Sequence, residues 1–600
     1  MNEPTSIGSL GEFNRIFGGI HPRSEASYAI HQFFLNGGTQ AVVVRTAETG
    51  TFRTATVGLQ DTSGAAAAQV QAISPGGWAN ETVRLRVERD PNDAATFNLY
   101  VNRYESAAHD AKPISPERFI AVTSTAGARF YPDVIDNGST LVVLTASSAN
   151  RPSPTGTTSG AVTVSPPPTE GADFRIVVTR PSGSVFATLQ LAYGGSPPTD
   201  LRGVRRFLEA AIRTPQSLGP GADDRTFSEM TVAVEGDRLV VRSSPSAPGY
   251  DPLEVISFQE VPSGTVAAEL GFIAGVENNV QEYVLGSTVS AGRQTAGVTG
   301  LDGNLPTGTE LTAAIDGLDA VDLFNILSIP IAAEIGQTNN AAMLAIMSHA
   351  LAYCVRRRAF LLVDVPRSVN TPAEMQDWME DNAGLRSPNS AVYFPRLRQP
   401  DVHQEYRPRS VAASGTIAGV YSRTDAQRGV WKAPAGVDAA LRGVAGLDTR
   451  LTDFENGQLN PLGINAIRDF PIYGRIAWGA RTLHGFDALG SEWKYIPIRR
   501  LALMIEETLF RSTKWAVFEP NDEPLWAKLR KNIGAFMLSL FRQGAFQGGS
   551  AGEAFFVKCD GENNTAIERN NGIVNVDVGF APLKPAEFVV LRIQQIPDIV

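Results

Sequence analysis

The sequence predicts an α+β, multidomain chain: an α/β-type core, formed by an N-terminal segment plus the C-terminal half, with inserted β-rich domains. Three observations carry this. From about Leu301 onward, continuous apolar runs alternate with amphipathic helical stretches, the pattern of a mostly parallel sheet covered on both faces. Between about 48 and 300 the apolar period shortens to two, as in half-buried antiparallel strands. Six hundred residues also exceed what one hydrophobic core accommodates, so two to four domains are expected. The expected boundaries are 1–48 for the N-terminal part of the core, 49–150 for one inserted β-rich domain, 151–170 for a linker, 171–300 for a second insert and 301–600 for the remainder of the core with a C-terminal α+β domain.

In chain order, Ser24 to Phe34 reads as a short helix stopped by Asn36-Gly37-Gly38 and followed by a buried strand, Ala41-Val-Val-Val-Arg45. Its unbroken apolar character assigns that strand to the parallel sheet. Thr82 to Glu88, Thr96 to Val101 and Thr140 to Leu144 read as strands of the first insert. Ala149 to Glu170 is a Pro/Ser/Thr/Gly tract. Beyond it, runs at Arg175, Val185, Met230 and Arg238 with one helix near Leu201 to Ile212 form a second β-rich region ending near Gly275. The core then resumes with a strand at Leu323 to Ile329, a helix from Asn339 to Arg358 and strands at Phe360 and Ala391. Thr371-Pro-Ala-Glu374 opens a further helix, with Thr as cap, Pro in the first turn and Glu three residues after the cap. Asn521-Asp-Glu-Pro524 opens the longest helix, its apolar stripe Leu525, Leu529, Ile533, Phe536, Met537 and Leu540 ending at Gly544. Runs at Glu553, Ile573 and Glu587 are strands.

Composition narrows the function. A formal charge of −10 argues against nucleic acid as the main partner, because phosphate binding needs surplus Lys and Arg. Cys354 and Cys559 alone exclude a disulfide scaffold and a Cys-based zinc site. Met1-Asn-Glu-Pro-Thr carries no signal-peptide pattern, and the longest apolar stretch, Ala341 to Val355, is too short to span a bilayer, so a soluble chain without membrane insertion is expected.

Chemistry is searched for and not found. Gly548-Gly-Ser550-Ala-Gly552 has the spacing of a nucleophile elbow, but that fold needs a His after the Ser, and the last His is His484. His21, His31, His109, His349, His403 and His484 show no metal-ligand spacing, and Asp560-Gly-Glu-Asn-Asn lacks the remaining ligands of a calcium loop. No catalytic, cofactor or metal site is therefore expected. Lys528, Arg530 and Lys531 lie off the apolar stripe of the longest helix, and on the residues alone they are a solvated face.

Motifs spread along the chain add a resemblance. Ser414-Gly-Thr-Ile-Ala-Gly-Val-Tyr, Arg428-Gly-Val-Trp-Lys-Ala-Pro, Leu459-Asn-Pro-Leu-Gly-Ile-Asn, Trp478-Gly-Ala-Arg-Thr, Trp493-Lys-Tyr-Ile-Pro-Ile-Arg-Arg, Phe518-Glu-Pro-Asn and Pro585-Ala-Glu-Phe follow one another in the C-terminal third, with Phe17-Gly-Gly, Phe33-Phe-Leu-Asn-Gly-Gly and Val42-Val-Val-Arg near the start. In these the chain resembles the tail sheath proteins of contractile phage tails and related injection systems. The resemblance implies a homo-oligomer: six-fold rings stacked in a helical array around an inner tube protein, with baseplate and terminator or cap proteins at its ends, assembled in the cytoplasm as part of a virion tail or injection particle. It implies contraction from a metastable extended state to a wider, shorter one that drives the tube through an envelope. A heterologous contact whose rotation does not close builds such a helix, and strand addition between subunits survives large rotations.

The resemblance also implies site roles. A basic C-terminal helix of the family faces acidic groups on the tube, which places Lys528, Arg530 and Lys531 at an inner-tube contact. The terminal run Glu587, Phe588, Val589, Val590, Leu591, Arg592 and Ile593 is the strand shared with a neighbour. Family members carry an N-terminal arm ahead of the Phe17 region that pairs with a neighbouring sheet. Sixteen residues precede Phe17 here, so a different N-terminal linkage, or a start further upstream, is expected. The alternative roles are a sheath paralogue in a cap or baseplate-proximal ring, and a surface binding module carried by the inserts.

Overall fold

In the computed structural model, which describes residues 1–90, 93, 95–146, 150–262 and 264–587, the chain divides into two compact units. One is Ala47–Pro306. The other joins Asn2–Thr46 to Thr307–Val600.

The second unit is built on a five-stranded sheet. Ile326–Ser328, Phe360–Val363, Ser390–Phe394 and Ile464–Phe470 run parallel in that order, and Gly474–Ala477 closes the edge antiparallel. Alternation along the strands feeds two cores. Leu361, Val363, Val392, Phe394 and Ile464 face a cluster shared with Met343, Ile346, Met347 and Cys354 of helix Asn340–Arg356 and with Met375 and Trp378 of helix Pro372–Asp381. Phe360, Leu362, Ala391 and Tyr393 face Tyr28, Ile417, Val420, Tyr421 and Leu503. Both faces are covered, which is why these strands read as continuous apolar runs. Helix Pro372–Asp381 starts on the expected capping box, in which the Thr371 hydroxyl and the Glu374 carboxylate exchange bonds with each other's backbone N–H.

Strand Ala41–Val44 departs from expectation. It does not join the parallel sheet; it pairs antiparallel with Pro4–Ile7 in a separate two-stranded sheet, Thr5 opposite Val43. Val42 and Val44 nevertheless pack against the first core cluster, so the apolar run reflects burial by packing and carries no information about the hydrogen-bonding partner. Helix Glu25–Leu35, capped by Ser24, lies against helix Ser414–Arg428. Two glycines make that approach possible: a Cβ on Gly415 would sit 2.2 Å from the Ala29 carbonyl oxygen, and one on Gly419 would sit 2.5 Å from that of Phe33.

At the entry to helix Ser414–Arg428, Asp364 follows strand Phe360–Val363 and is 2% exposed. Its carboxylate accepts from Ser414 N (2.9 Å) and Ser414 Oγ (2.5 Å), and burial raises its pKa to about 6 despite those bonds.

The other unit holds two β-rich bodies of antiparallel sheet. In the first, Thr56–Gln60, Ala66–Ala72 and Val142–Ala146 lie in one four-stranded sheet and Val83–Arg89, Thr96–Tyr104 and Pro113–Thr123 in another, around a common core. In the second, Asp173–Arg180, Gly183–Gln190 and Val255–Glu260 lie in one sheet and Thr231–Glu235 with Arg238–Arg242 in the other, with helix Leu201–Arg213 packed on their core. Within the Pro/Ser/Thr/Gly tract, residues 152–160 are buried, and Thr157–Thr158 pairs with both Val240–Val241 and Glu277–Asn278. The unit's ends meet: Glu48 N donates to the Asn304 carbonyl (3.2 Å), and Arg53 bridges Leu301.

Candidate assembly interface

The C-terminal part of the second unit is organised by two helices, Ile496–Ser512 and Glu523–Arg542. Leu501 and Ile505 of the first and Ile533, Met537 and Leu540 of the second share one apolar cluster with Phe546 and Ala554. A smaller cluster joins Leu525, Trp526 and Leu529 to Cys559. The long helix starts at Asp522, whose carboxylate accepts from Glu523 N (2.8 Å), with Pro524 in its first turn. Arg500 fastens the first helix to the core: its guanidinium donates twice to Asp425 (2.9 and 2.5 Å) and lies over the Tyr421 ring.

The surface of the long helix is split. Leu525, Leu529, Ile533, Met537 and Leu540 are buried, while Lys528, Lys531, Ala535, Ser539 and Arg542 form an exposed stripe at three- and four-residue spacing. Neither Lys528 nor Lys531 has an ion-pair or hydrogen-bond partner among the described residues. Arg530 is placed differently. It is half-buried, donates to Glu523 Oε1 (2.5 Å) and to the Cys559 carbonyl, and Glu523 raises its pKa. Its charge is committed within the chain, so the three cations are not equivalent.

Of the terminal run, Phe588 to Ile593 lie outside the described residues; Glu587 is described. Its two carboxylate oxygens accept from Arg481 Nε and Nη2, both at 2.7 Å, and from Tyr495 OH at 3.2 Å. Burial opposes ionisation of Glu587, but the Arg481 bonds and charge outweigh it and hold the carboxyl below the ordinary carboxylate range. Burial, with Glu587 beside it, pushes Tyr495 up to about 12. The motifs containing Arg481 and Glu587 were both visible in the sequence; their pairing across 106 positions was not.

The hairpin Phe555–Lys558 with Asp577–Phe580 forms a sheet of two strands, Val557 opposite Val578, among the described residues. Gly548 to Gly552 is a turn leading into the short helix Ala551–Ala554, and the Asp560 loop is closed by Asn563 and Asn564 side chains bonding nearby backbone. No cluster of three or more metal-ligating side chains occurs among the described residues. No helix among them is long and apolar enough to cross a membrane.

The long helix with its split surface and the two-stranded sheet lie in the part of the chain that known proteins match. Residues 490–596 match the phage tail sheath C-terminal domain. The tail sheath protein of Vibrio phage KVP40 is 28% identical over 189 residues; the match covers 31% of this chain and 26% of that protein, so this chain spans about a quarter of that relative. The helical sheath of the anti-feeding prophage in its contracted state is 33% identical, covering 50% of this chain and 78% of that one, with a TM-score of 0.40. The sheath tail protein of Listeria innocua shares the fold over 97% of this chain and 92% of its own, with a TM-score of 0.51 at 10% identity. The chain belongs to the contractile tail sheath protein family.

Proposed function

We propose that this chain polymerises as stacked hexameric rings in a helical array around an inner tube and contracts from a metastable extended state to drive the tube through a target envelope. The observation that carries the reading is the split surface of helix Glu523–Arg542: one face is locked in the apolar core, and the other offers Lys528 and Lys531 with no partner among the described residues. Two such exposed cations suit a contact with acidic groups on a tube that must release during contraction, because exposed ion pairs are each worth about 0–1 kcal/mol. The two-stranded sheet at Phe555–Lys558 and Asp577–Phe580 supports strand sharing, since among the described residues no third strand pairs with either of its edges.

The test is electron microscopy of the chain co-expressed with its neighbouring tube gene. Striated cylinders of six-fold symmetry are expected, and dispersed monomers would overturn the reading. Lys528→Glu with Lys531→Glu is expected to leave the unfolding midpoint of the subunit unchanged and to deplete tube-wrapped cylinders. Normal extended particles of that variant at moderate salt would remove the tube contact from the proposal. For the unmodified chain, tube wrapping should weaken as salt rises, because screening at about 0.15 M already limits exposed charges to roughly 8 Å.

A further inference from the structure

Three guanidinium groups of the second unit line one groove of about 230 Å³, and each comes from a different element. Arg398 lies on strand Leu397–Pro400, opposite Ser410 on one side and Gly446 on the other. Arg475 lies on the edge strand Gly474–Ala477, directly across from Asp469, which adds a carboxylate to the lining. Arg450 comes from the loop after strand Gly446–Leu447.

These arginines are not paired off. Arg450 is 87% exposed and makes no hydrogen bond among the described residues. Its Nη2 stops 3.8 Å from Asp469 Oδ2, and Arg475 Nε stops 3.7 Å from the same oxygen. Both separations exceed hydrogen-bond length. Arg475 Nε is buried and has no acceptor, although Nη1 donates to the Val444 carbonyl (2.6 Å). Arg398 commits its Nε to Asp448 (2.9 Å), and its terminal nitrogens find no acceptor among the described residues. Like charges gathered on one groove repel each other, and Asp469 offsets one of the three. A guanidinium is a rigid fork matched to the oxygens of a carboxylate or phosphate group. Arg398 and Arg475, on strands, are positioned before a ligand arrives, and Arg450, on its loop, can fold over it.

We propose that this groove binds one small oxyanion, a carboxylate or phosphate group, between Arg450 and Arg475, with Arg398 as a third donor. Asp469 sets the strength: it draws Arg450 and Arg475 to the groove and, carrying the ligand's own sign of charge, keeps binding weak and reversible. The oxyanion is either free in solution or borne on an acidic side chain of another copy of this chain, whose formal net charge of −10 supplies such groups.

The test titrates inorganic phosphate with the full-length chain at fixed ionic strength and follows the phosphorus line width. One saturable site per chain is expected. Arg450→Ala and Arg475→Gln should each weaken it about five- to tenfold, since each removes a charge-assisted bond. Asp469→Asn should tighten it severalfold, whereas Glu562→Gln, which removes an exposed charge elsewhere, should leave it unchanged. Arg450 bonds to nothing that its loss would strand; if Arg475→Gln does not fold, Arg475→Lys, which keeps the charge and loses the fork, takes its place. Sedimentation then assigns the source, and both results retain the site. With a carboxylate from another copy, phosphate and Arg450→Ala each reduce self-association; with a free anion, neither does. No saturable binding by the parent chain, or binding that the arginine variants leave undiminished, overturns the proposal.

Discussion

Asp364 shows what one buried carboxyl contributes. Its ordinary pKa is 3.8, and burial raises it to about 6 in the folded chain, so the folded state holds the proton more tightly than the unfolded state does. Stability from this group is therefore greatest in mild acid and falls as pH rises from about 4 to about 6, by roughly 2–3 kcal/mol in total. Asp364→Asn should abolish that increment; urea unfolding of both proteins at pH 4.5 and pH 7 would show it as a difference in pH slope. A slope common to both would assign the effect to other groups. At this scale the sequence was partly legible. Lys528 and Lys531 could be placed off the apolar stripe by counting in steps of three and four, and the structure leaves them exposed. The commitment of Arg530 could not, because one of its acceptors is the backbone carbonyl of Cys559, and a carbonyl leaves no mark in the sequence. Nor could the burial of Arg481, an outcome of tertiary packing around a residue type that is seldom buried.

Among the elements, helices were read most faithfully, since each carries its own start and stop. Thr371 and Glu374 mark one start; Asp522 and Pro524 mark another, and the left-handed Gly544 (φ 81°) follows that helix's end. Strand partners were not readable, as Ala41–Val44 shows: an apolar run states that it is buried and leaves open which strand lies beside it. The tract before residue 170 makes a related point. Its Pro and Gly content removes apolar periodicity, yet Thr157 and Thr158 are buried through backbone pairing on both sides, which needs no apolar side chain. The Gly415-x-x-x-Gly419 seam yields a prediction at this scale. Gly415→Ala would drive a methyl group into the backbone of helix Glu25–Leu35, where no side chain can swing aside, and should cost about 1–3 kcal/mol or more. Differential scanning calorimetry would measure it, with the exposed Gly552→Ala as control. Equal midpoints for the two variants would mean that the helices part freely.

For the molecule as a whole, the two units differ in how they are connected. Ala47–Pro306 begins and ends in neighbouring segments and carries its own cores, the features of a self-contained insertion. Expressed alone, residues 47–306 should fold and unfold cooperatively, and replacing them with a short Gly/Ser link between Thr46 and Thr307 should leave the remainder folded. Circular dichroism and thermal melts of both fragments test this; aggregation of both would argue against independence. Sheath assembly should survive the excision, because Lys528, Lys531 and the two-stranded sheet at Phe555–Lys558 and Asp577–Phe580 all belong to the other unit.

The glycine seam has a mechanical meaning. A joint that turns needs something to absorb the turn, either torsions in a loop or side chains that exchange one rotamer for another. Where helix Glu25–Leu35 meets Gly415 and Gly419 main chain lies directly against main chain, and Thr416 on Gln32 and Arg423 on the Asn36 carbonyl add hydrogen bonds along the same seam, a close fit with little space for rotamer exchange. The N-terminal helix and helix Ser414–Arg428 therefore travel as a single strut. Motion within this unit is then expected away from this seam, in spans such as residues 584–586, which no hydrogen bond or ion pair holds among the described residues.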